Sequence, residues 1–98
     1  MSLRIKEDDP NLITVRLDGG GVPIFHYKGN PFTGIVFENE KDGTLGWEEE
    51  YENGYQEGWY RGYHRNGNKH VEYKSHNNLT IAGTYKEWDE DGKLIESF

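Results

Sequence analysis

Short apolar and aromatic runs, separated by turn-forming residues, extend along most of this 98-residue chain. Residues 12–17 alternate between apolar and polar side chains, and residues 22–27 and 32–37 form two further apolar runs. Alternation with a period of two is typical of a β-strand with one buried face, and no long stretch has helical periodicity. The pattern predicts an all-β fold, a single-domain antiparallel β-meander of hairpin repeats with about seven to eight strands.

Glycines divide the chain into repeats. Three segments begin with a glycine and end with another glycine nine positions later, and they span residues 34–43, 58–67 and 83–92. Their starts lie 24 and 25 residues apart, and residues 45–51 and 69–73 are predicted to form returning strands between them. A fixed period of this length is the signature of a repeat architecture. Each repeat is therefore predicted to contain two strands and two turns.

The predicted turns share a chemical signal, because each ends in Asn-Gly or Asp-Gly. They lie at residues 41–43, 52–54, 65–67 and 90–92. Glycine adopts positive φ without strain, and Asn or Asp tolerates turn geometry. These triplets fit three-residue hairpin loops, and residues 76–78 are expected to form another. Two-residue type I′ loops are the alternative.

The register of the strands depends on which loop is correct. Three-residue loops place bulky side chains in one row on a single face: Phe37, Trp47, Trp59, Tyr73 and Ile81. Two-residue loops would set Phe37 against Glu48 and would scatter the row. Because a slip of one residue moves every side chain to the other face, the coherence of the row favours three-residue loops. The row is predicted to form the core.

Composition limits the classes of site. Three Trp, seven Tyr and four Phe make up 14% of the chain, and large flat side chains of this kind suit a pleated sheet. The absence of cysteine excludes disulfides and thiolate metal sites. No apolar run has the length of a membrane helix and no signal peptide is recognisable, so we expect a cytoplasmic protein. Residues 1–10 are predicted to be frayed, and residues 11–98 to form one β-repeat domain.

The charge is −7 and is unevenly distributed. Residues 38–57 carry eight acids and one Lys, which gives −7, whereas residues 58–76 carry four bases and one acid, which gives +3. A strongly acidic balance disfavours nucleic acid and anionic membranes as partners. The alternation of sign fits neighbouring strands that pair opposite charges.

Four segments resemble a known repeat. Residues 58–67, which read Gly-Trp-Tyr-Arg-Gly-Tyr-His-Arg-Asn-Gly, and residues 83–92 resemble the bacterial variant of the MORN repeat, and residues 31–34 and 50–54 add to the likeness. The resemblance covers about residues 31–96. It implies a MORN-like twisted sheet and a role as an antitoxin-like or immunity-like partner of a toxin. It transfers no catalytic residue.

The acidic run and nearby tyrosines are the candidate partner-binding residues: Glu48, Glu50, Glu57, Tyr55, Tyr60 and Tyr63. An acidic patch speeds association with a basic partner, and tyrosine is a frequent interface anchor. The alternative is a solvated strand that keeps the sheet from pairing edge to edge. The predicted register places Glu48, Glu50 and Tyr60 together on the face opposite the row. It places Glu49 opposite Glu57 on the row side.

The sequence gives little support for metal binding, phosphate binding or catalysis. His64, His70 and His76 have no compact ligand spacing, so we expect surface histidines and no metal or cofactor. Glycines 19–21 open no helix and therefore form no phosphate loop. The serines and carboxylates show no catalytic arrangement, so we expect no enzyme activity. The favoured hypothesis is an antitoxin or immunity-type module that occludes a protein partner. The alternative is a structural or self-associating MORN-like scaffold, a homodimer formed through a sheet edge.

Overall fold

The computed structural model describes residues 3–98, which form eleven β-strands and no α-helix. The strands are β1 (Leu3–Lys6), β2 (Leu12–Leu17), β3 (Pro23–Tyr27), β4 (Asn30–Pro31), β5 (Gly34–Asn39), β6 (Leu45–Glu52), β7 (Tyr55–Tyr63), β8 (Lys69–His76), β9 (Leu79–Thr80), β10 (Lys86–Trp88) and β11 (Leu94–Ser97). Within these residues no helix could cross a membrane. The predicted all-β class is confirmed.

The strands form a large sheet and a small one. The main sheet has the order β1-β5-β6-β7-β8-β10-β11, with β9 also paired to β8, and the small sheet has the order β2-β3-β4. From β5 onwards the chain runs as the predicted antiparallel meander. The strand count exceeds the prediction partly because β4, β9 and β10 are only two or three residues long.

The N-terminus differs from the prediction. Residues 3–6, expected to be frayed, form β1 and pair in parallel with β5, where Ile5 lies beside Val36. Apolar alternation in this short strand buries Ile5 and leaves its neighbours exposed. The part of the frayed-end prediction that concerns Met1 and Ser2 lies outside the described residues.

The loop predictions divide into two groups. The three-residue loops at 41–43, 65–67 and 90–92 are confirmed by backbone pairs that close each loop, such as Glu40 N–H to Thr44 O at 2.7 Å. The prediction of three-residue loops at 52–54 and 76–78 was wrong, because these turns close as two-residue loops. In Asn53-Gly54 and in Asn77-Asn78 both central residues have positive φ, which is the requirement of a type I′ turn.

The predicted register is also wrong, even where the loop is right. Each three-residue loop is followed by one extra residue in the returning strand, and the three extra residues are Gly46, His70 and Ile95. A bulge of this kind places two residues opposite one and shifts the pairing by one position. Phe37 therefore pairs with Glu48 and not with Trp47.

The shift changes which rings share a face. Tyr60 pairs with both Glu49 and Tyr73, so Trp59 lies on the opposite side of the sheet from Trp47. The predicted row is therefore incorrect. A different row, here called the aromatic ladder, crosses the main sheet, and its members are Trp47, Tyr60, Tyr73, Tyr85 and Phe98. We call the side of the main sheet that carries it the ladder face.

The core lies at one end of the ladder face, where the small sheet packs over the main sheet. Phe32 and Val36 are almost fully buried there, with Ile5 and Tyr51 beside them. Trp47 packs against this cluster, whereas the remaining ladder rings extend beyond the small sheet and are half-buried or exposed. The predicted row was expected to form the core, and of its members only Trp47 packs against this cluster.

Backbone and side-chain hydrogen bonds join the small sheet, and Phe32 directly after it, to the main sheet. Gly54 donates to Phe32 O at 2.8 Å and accepts from Phe25 N–H at 3.0 Å. Its φ is +91°, and a Cβ there would lie 2.7 Å from Phe25 O, so only glycine fits without displacement. Farther along, the Asn78 amide donates to Asp18 Oδ2 at 3.0 Å.

Candidate partner-binding surface

Glu48 lies on the face opposite the ladder, where it is bonded within the chain. Its carboxylate forms a salt bridge with Arg4 Nη1 at 2.9 Å and accepts a hydrogen bond from the Tyr63 hydroxyl at 3.1 Å. Arg4 also lies 4.4 Å from the centre of the Phe37 ring. Glu48 therefore joins β1 to β7, and its charge is already paired.

Glu50 and Glu57 also have internal partners, at the irregular part of β7. Glu50 Oε1 accepts the backbone N–H of Trp59 at 2.7 Å, which stabilises a two-residue offset in the pairing of β6 and β7. Glu57 contacts His76 Nδ1 at 2.9 Å and accepts the backbone N–H of Asn77 at 3.2 Å. These hydrogen bonds, first that of His76, hold the pKa of Glu57 below its usual range.

The three predicted tyrosines do not share one surface. Tyr63 lies with Glu48, while the Tyr55 hydroxyl meets Arg16 Nη2 at 3.3 Å. Tyr60 was expected on the face of Glu48 and Glu50, and this was wrong, because it pairs with Glu49 on the ladder face. The bulges that shift the register explain the error.

Glu49 differs from the other acids of β6 because it is buried on the ladder face. It was expected opposite Glu57, but it lies opposite Tyr60 and Val36. The Tyr51 hydroxyl donates a hydrogen bond to Glu49 Oε1 at 2.9 Å. Burial outweighs this bond and raises the pKa of Glu49.

The aromatic ladder is the most extended feature of the ladder face. Trp47 and Tyr60 stack with ring centres 6.0 Å apart, and Tyr60 and Tyr73 stack at 4.9 Å. Tyr73 and Tyr85 follow at 6.4 Å, and Phe98 continues the row at 5.4 Å from Tyr85. Stacked rings of this kind present large apolar area with polar hydroxyl tips, which suits a binding surface.

Sequence reasoning missed most of the ladder, although a signal was present. The five rings stand at positions 47, 60, 73, 85 and 98, so an aromatic residue recurs every 12 or 13 positions. This spacing is half of the repeat period and corresponds to one strand with its turn. β6, β7 and β8 therefore contribute one ring each, and Tyr85 and Phe98 directly flank β10 and β11.

The opposite face also carries aromatic rings, and cations cover them. Arg61 and Lys74 lie 4.9 and 5.5 Å from the centre of the Trp59 ring. Lys69 lies 4.7 Å from the centre of the Trp88 ring. Arg61 and Lys69 also form salt bridges with the buried Glu72 at 3.2 and 3.1 Å. The rings and the charged groups of this face are therefore already in contact with side chains of the same chain.

His64 and His70 lie at the end of the main sheet, next to the three-residue loop at 65–67. His64 and His70 stack with ring centres 4.3 Å apart, and His64 Nε2 lies 2.8 Å from Trp88 O. His76 is separate and contacts Glu57. Among residues 3–98 no group of three or more His, Asp or Glu side chains is arranged to hold a metal ion.

Comparisons with protein-family models, with curated proteins and with solved structures gave no match for this chain. The two faces of the main sheet differ in how their charges and rings are paired. One face pairs its charges and rings internally, and the other leaves a row of rings half-exposed. The second face is the stronger candidate for binding.

Proposed function

We propose that this chain is a cytoplasmic bacterial protein-binding module that acts as an antitoxin or immunity-type protein and occludes its partner. The observation that carries the proposal is the aromatic ladder, whose rings beyond Trp47 extend past the small sheet. Tyrosine and tryptophan are the usual anchors of protein interfaces, and contiguous exposed apolar patches mark interaction sites. The MORN-like repeat pattern of residues 31–96 supports the same role.

The residues proposed from sequence take different parts in this function. Tyr60 is a ladder ring and contacts the partner directly. Glu48, Glu50 and Glu57 are bonded within the chain, so they contribute to the net charge of −7 that steers a basic partner, without serving as anchors. Tyr55 and Tyr63 contact Arg16 and Glu48 within the chain, so they too contribute to the fold and do not serve as anchors.

A capture experiment in the native cell tests the proposal. Tagged wild-type chain is compared with Tyr60→Leu on the ladder and with Trp59→Leu, its neighbour on the opposite face. We expect one protein to be recovered with wild type and Trp59→Leu and to be lost with Tyr60→Leu. That protein, expressed alone, should arrest growth, and co-expression of the wild-type chain should restore it. A partner set that is identical for all three chains would contradict the proposal, as would a partner that is harmless alone.

A second candidate function, a self-associating scaffold, is favoured by the open edge of the main sheet. β11 is the last strand in the order, and Leu94 and Ile95 on it are half-exposed. An edge strand with exposed apolar residues can pair with another copy. Light scattering after size exclusion separates the two functions: a dimer that Ile95→Lys converts to monomer supports the scaffold, and a wild-type monomer supports the partner-binding module.

A further inference from the structure

Pairing within the chain still leaves an excess of positive charge on the face opposite the ladder. Residues 58–76 carry four bases and one acid, although the whole chain has a charge of −7. The acid is Glu72, which is buried and lies between its cross-strand partners, Arg61 on β7 and Lys86 on β10. Lys69 Nζ reaches the same carboxylate at 3.1 Å. Three basic residues therefore neighbour a single carboxylate.

A fourth cation lies beside this group, and aromatic rings hold most of these side chains in place. Lys74 Nζ lies 5.5 Å from the centre of the Trp59 ring, and the Arg61 guanidinium lies 4.9 Å from it. Lys69 Nζ lies 4.7 Å from the centre of the Trp88 ring. Attraction to a ring restricts a long side chain, so less conformational entropy is lost when an anion binds. We call this group the cation patch, and its members are Arg61, Lys69, Lys74 and Lys86.

Hydrogen-bond donors of the cation patch remain available to a ligand. Glu72 accepts a hydrogen bond from Arg61 Nε at 3.2 Å, and within residues 3–98 the two terminal amino groups of this guanidinium have no acceptor. Lys74 and Lys86 are exposed, and they form no salt bridge with residues 3–98. A guanidinium can donate two parallel hydrogen bonds to one carboxylate. The cation patch therefore has both the charge and the donors that a carboxylate ligand needs.

Carboxylates border the cation patch and limit the size of an anionic ligand. On β6, the strand next to β7, Glu48 and Glu50 lie on the same face, and their partners are Arg4 and the Trp59 N–H. The loop that follows β10 carries three more acids at positions 89–91. A nucleic acid or an anionic membrane surface is a long polyanion and would meet these carboxylates. A short segment with only a few negative charges can bind between them.

We propose that the cation patch binds a short acidic segment of a protein, in which aspartate or glutamate alternates with small neutral residues, with its carboxylates at Arg61, Lys74 and Lys86. Alternate residues of an extended segment point to the same side and lie roughly 6.6 Å apart, a spacing that long basic side chains on neighbouring strands can match. The charge of −7 repels acidic ligands elsewhere on the molecule, so binding requires the local excess of cations. The site lies on the face opposite the ladder and does not depend on the proposed function.

The test uses a labelled peptide of alternating aspartate and serine, with a matched peptide in which asparagine replaces every aspartate. In fluorescence anisotropy at low salt we expect the aspartate peptide to bind, and the asparagine peptide to bind at least about tenfold more weakly. Salt at about 0.5 M should weaken the aspartate peptide, because it screens exposed charges. The indole N–H resonances locate the site, because Trp59 and Trp88 contact the cation patch whereas Trp47 lies on the ladder face. We expect the peptide to move the Trp59 and Trp88 resonances.

Variants then separate the cation patch from the overall charge. Lys74→Gln together with Lys86→Gln removes two charges from the patch. The matched control, Lys28→Gln together with Lys41→Gln, removes two exposed lysine charges elsewhere on the chain. We expect the patch variant to bind the aspartate peptide about tenfold more weakly and the control to change binding less than about twofold, with circular dichroism verifying the fold of both.

Several results would overturn the inference: equal binding of the asparagine peptide, equal losses in the two double variants, or movement of the Trp47 resonance in place of those of Trp59 and Trp88. Tighter binding of anionic vesicles or of single-stranded DNA at Trp59 and Trp88 would contradict the choice of an acidic protein segment. Tyr60→Leu, on the ladder face, should leave the aspartate peptide unaffected. The fate of the cation patch can therefore be told apart from that of the function proposed for the ladder.

Discussion

Glu49 is a carboxylate held among rings, with 8% of its surface exposed. Its hydrogen bond comes from the neutral Tyr51 hydroxyl, and the salt bridges within residues 3–98 leave it out. Burial therefore penalises its charged form, and its pKa is raised. The charged form of this carboxylate is therefore less favourable to the native state than its protonated form.

Replacing Glu49 with glutamine should stabilise the protein at neutral pH. Because the native-state pKa of Glu49 is raised, the stability that its protonated form provides is present below the ordinary pKa of 4.5 and is lost as pH rises through the raised value. We expect Glu49→Gln to raise the free energy of unfolding by about 1–3 kcal/mol at about pH 8, and by less near pH 4.5. Urea denaturation at both pH values measures the difference. The matched control is Glu52→Gln on the same strand, where the side chain is exposed; a gain of equal size there would refute the argument.

At the scale of the strands, the positions of several turns could be predicted from the sequence, whereas the register of the strands could not. The loops at 41–43, 65–67 and 90–92 follow from Asp-Gly and Asn-Gly, because positive φ is a property of single residues. The bulges that follow them occur at Gly46, His70 and Ile95, which share no chemistry that would identify an extra residue. The adjacent rings of Trp59 and Tyr60 made the choice harder, because either register produces a continuous aromatic row.

The position of the core was unpredictable for a different reason. The small sheet reaches the main sheet through contacts between distant parts of the sequence, such as the hydrogen bond between Asp18 and Asn78. Nothing in residues 12–31 specifies which face they cover. The candidate surface could not be predicted either, because it is the part of the ladder face that the small sheet leaves open.

A substitution at Gly54 tests how much the contact between the two sheets contributes to the free energy of unfolding. Gly54→Ala places a Cβ 2.7 Å from Phe25 O at φ +91°, whereas Gly43→Ala has a similar φ of +88° and no atom within 4 Å. The strain of positive φ costs both variants roughly 1–2 kcal/mol, and Gly54→Ala should lose a further 1–3 kcal/mol or so from the clash. Chemical denaturation of the two variants measures the difference. Equal losses would show that the contact between Gly54 and Phe25 contributes little.

Substitutions at Glu50 test whether its hydrogen bond to the Trp59 N–H stabilises the irregular pairing of β6 and β7. Glu50→Ala removes the acceptor for the Trp59 N–H, and we expect a loss of about 1–3 kcal/mol in unfolding free energy. Glu50→Gln keeps an amide oxygen as acceptor and should lose less than half as much. Hydrogen exchange of the Trp59 amide gives a local readout, and it should accelerate in Glu50→Ala. If both variants behaved alike, the hydrogen bond would not be the stabilising contact.

In the whole molecule, the main sheet has one face whose charges and rings are paired within the chain and one face whose rings are partly exposed. On the first face, salt bridges pair the charged side chains, and arginine and lysine side chains lie over the rings. The ladder face combines a core under the small sheet with a row of half-exposed rings and paired carboxylates. The partial exposure of these rings is the reason to look for a partner on the ladder face.

Carboxylates with shifted pKa values should shape the dependence of stability on pH. Hydrogen bonds hold the pKa values of Asp18 and Asp42 below 3.8, so the stability that these carboxylates provide is present above 3.8 and is lost as pH falls through the lowered values. Glu49 acts in the opposite direction, and with an isoelectric point of about 5.0 the negative charge grows as pH rises. We therefore expect the melting temperature to be highest near pH 5, to fall below about pH 4 and to decline towards about pH 8.

Calorimetry across this range measures the profile, and two changes separate its causes on the neutral side. Salt at about 0.5 M should remove the part of the decline that comes from overall repulsion, because it screens exposed charges. Glu49→Gln should remove the part that salt leaves, because a buried carboxylate is screened much less. A melting temperature that climbed steadily from pH 5 to about pH 8 would mean that Glu49 is stabilised by a group that cancels the cost of its burial.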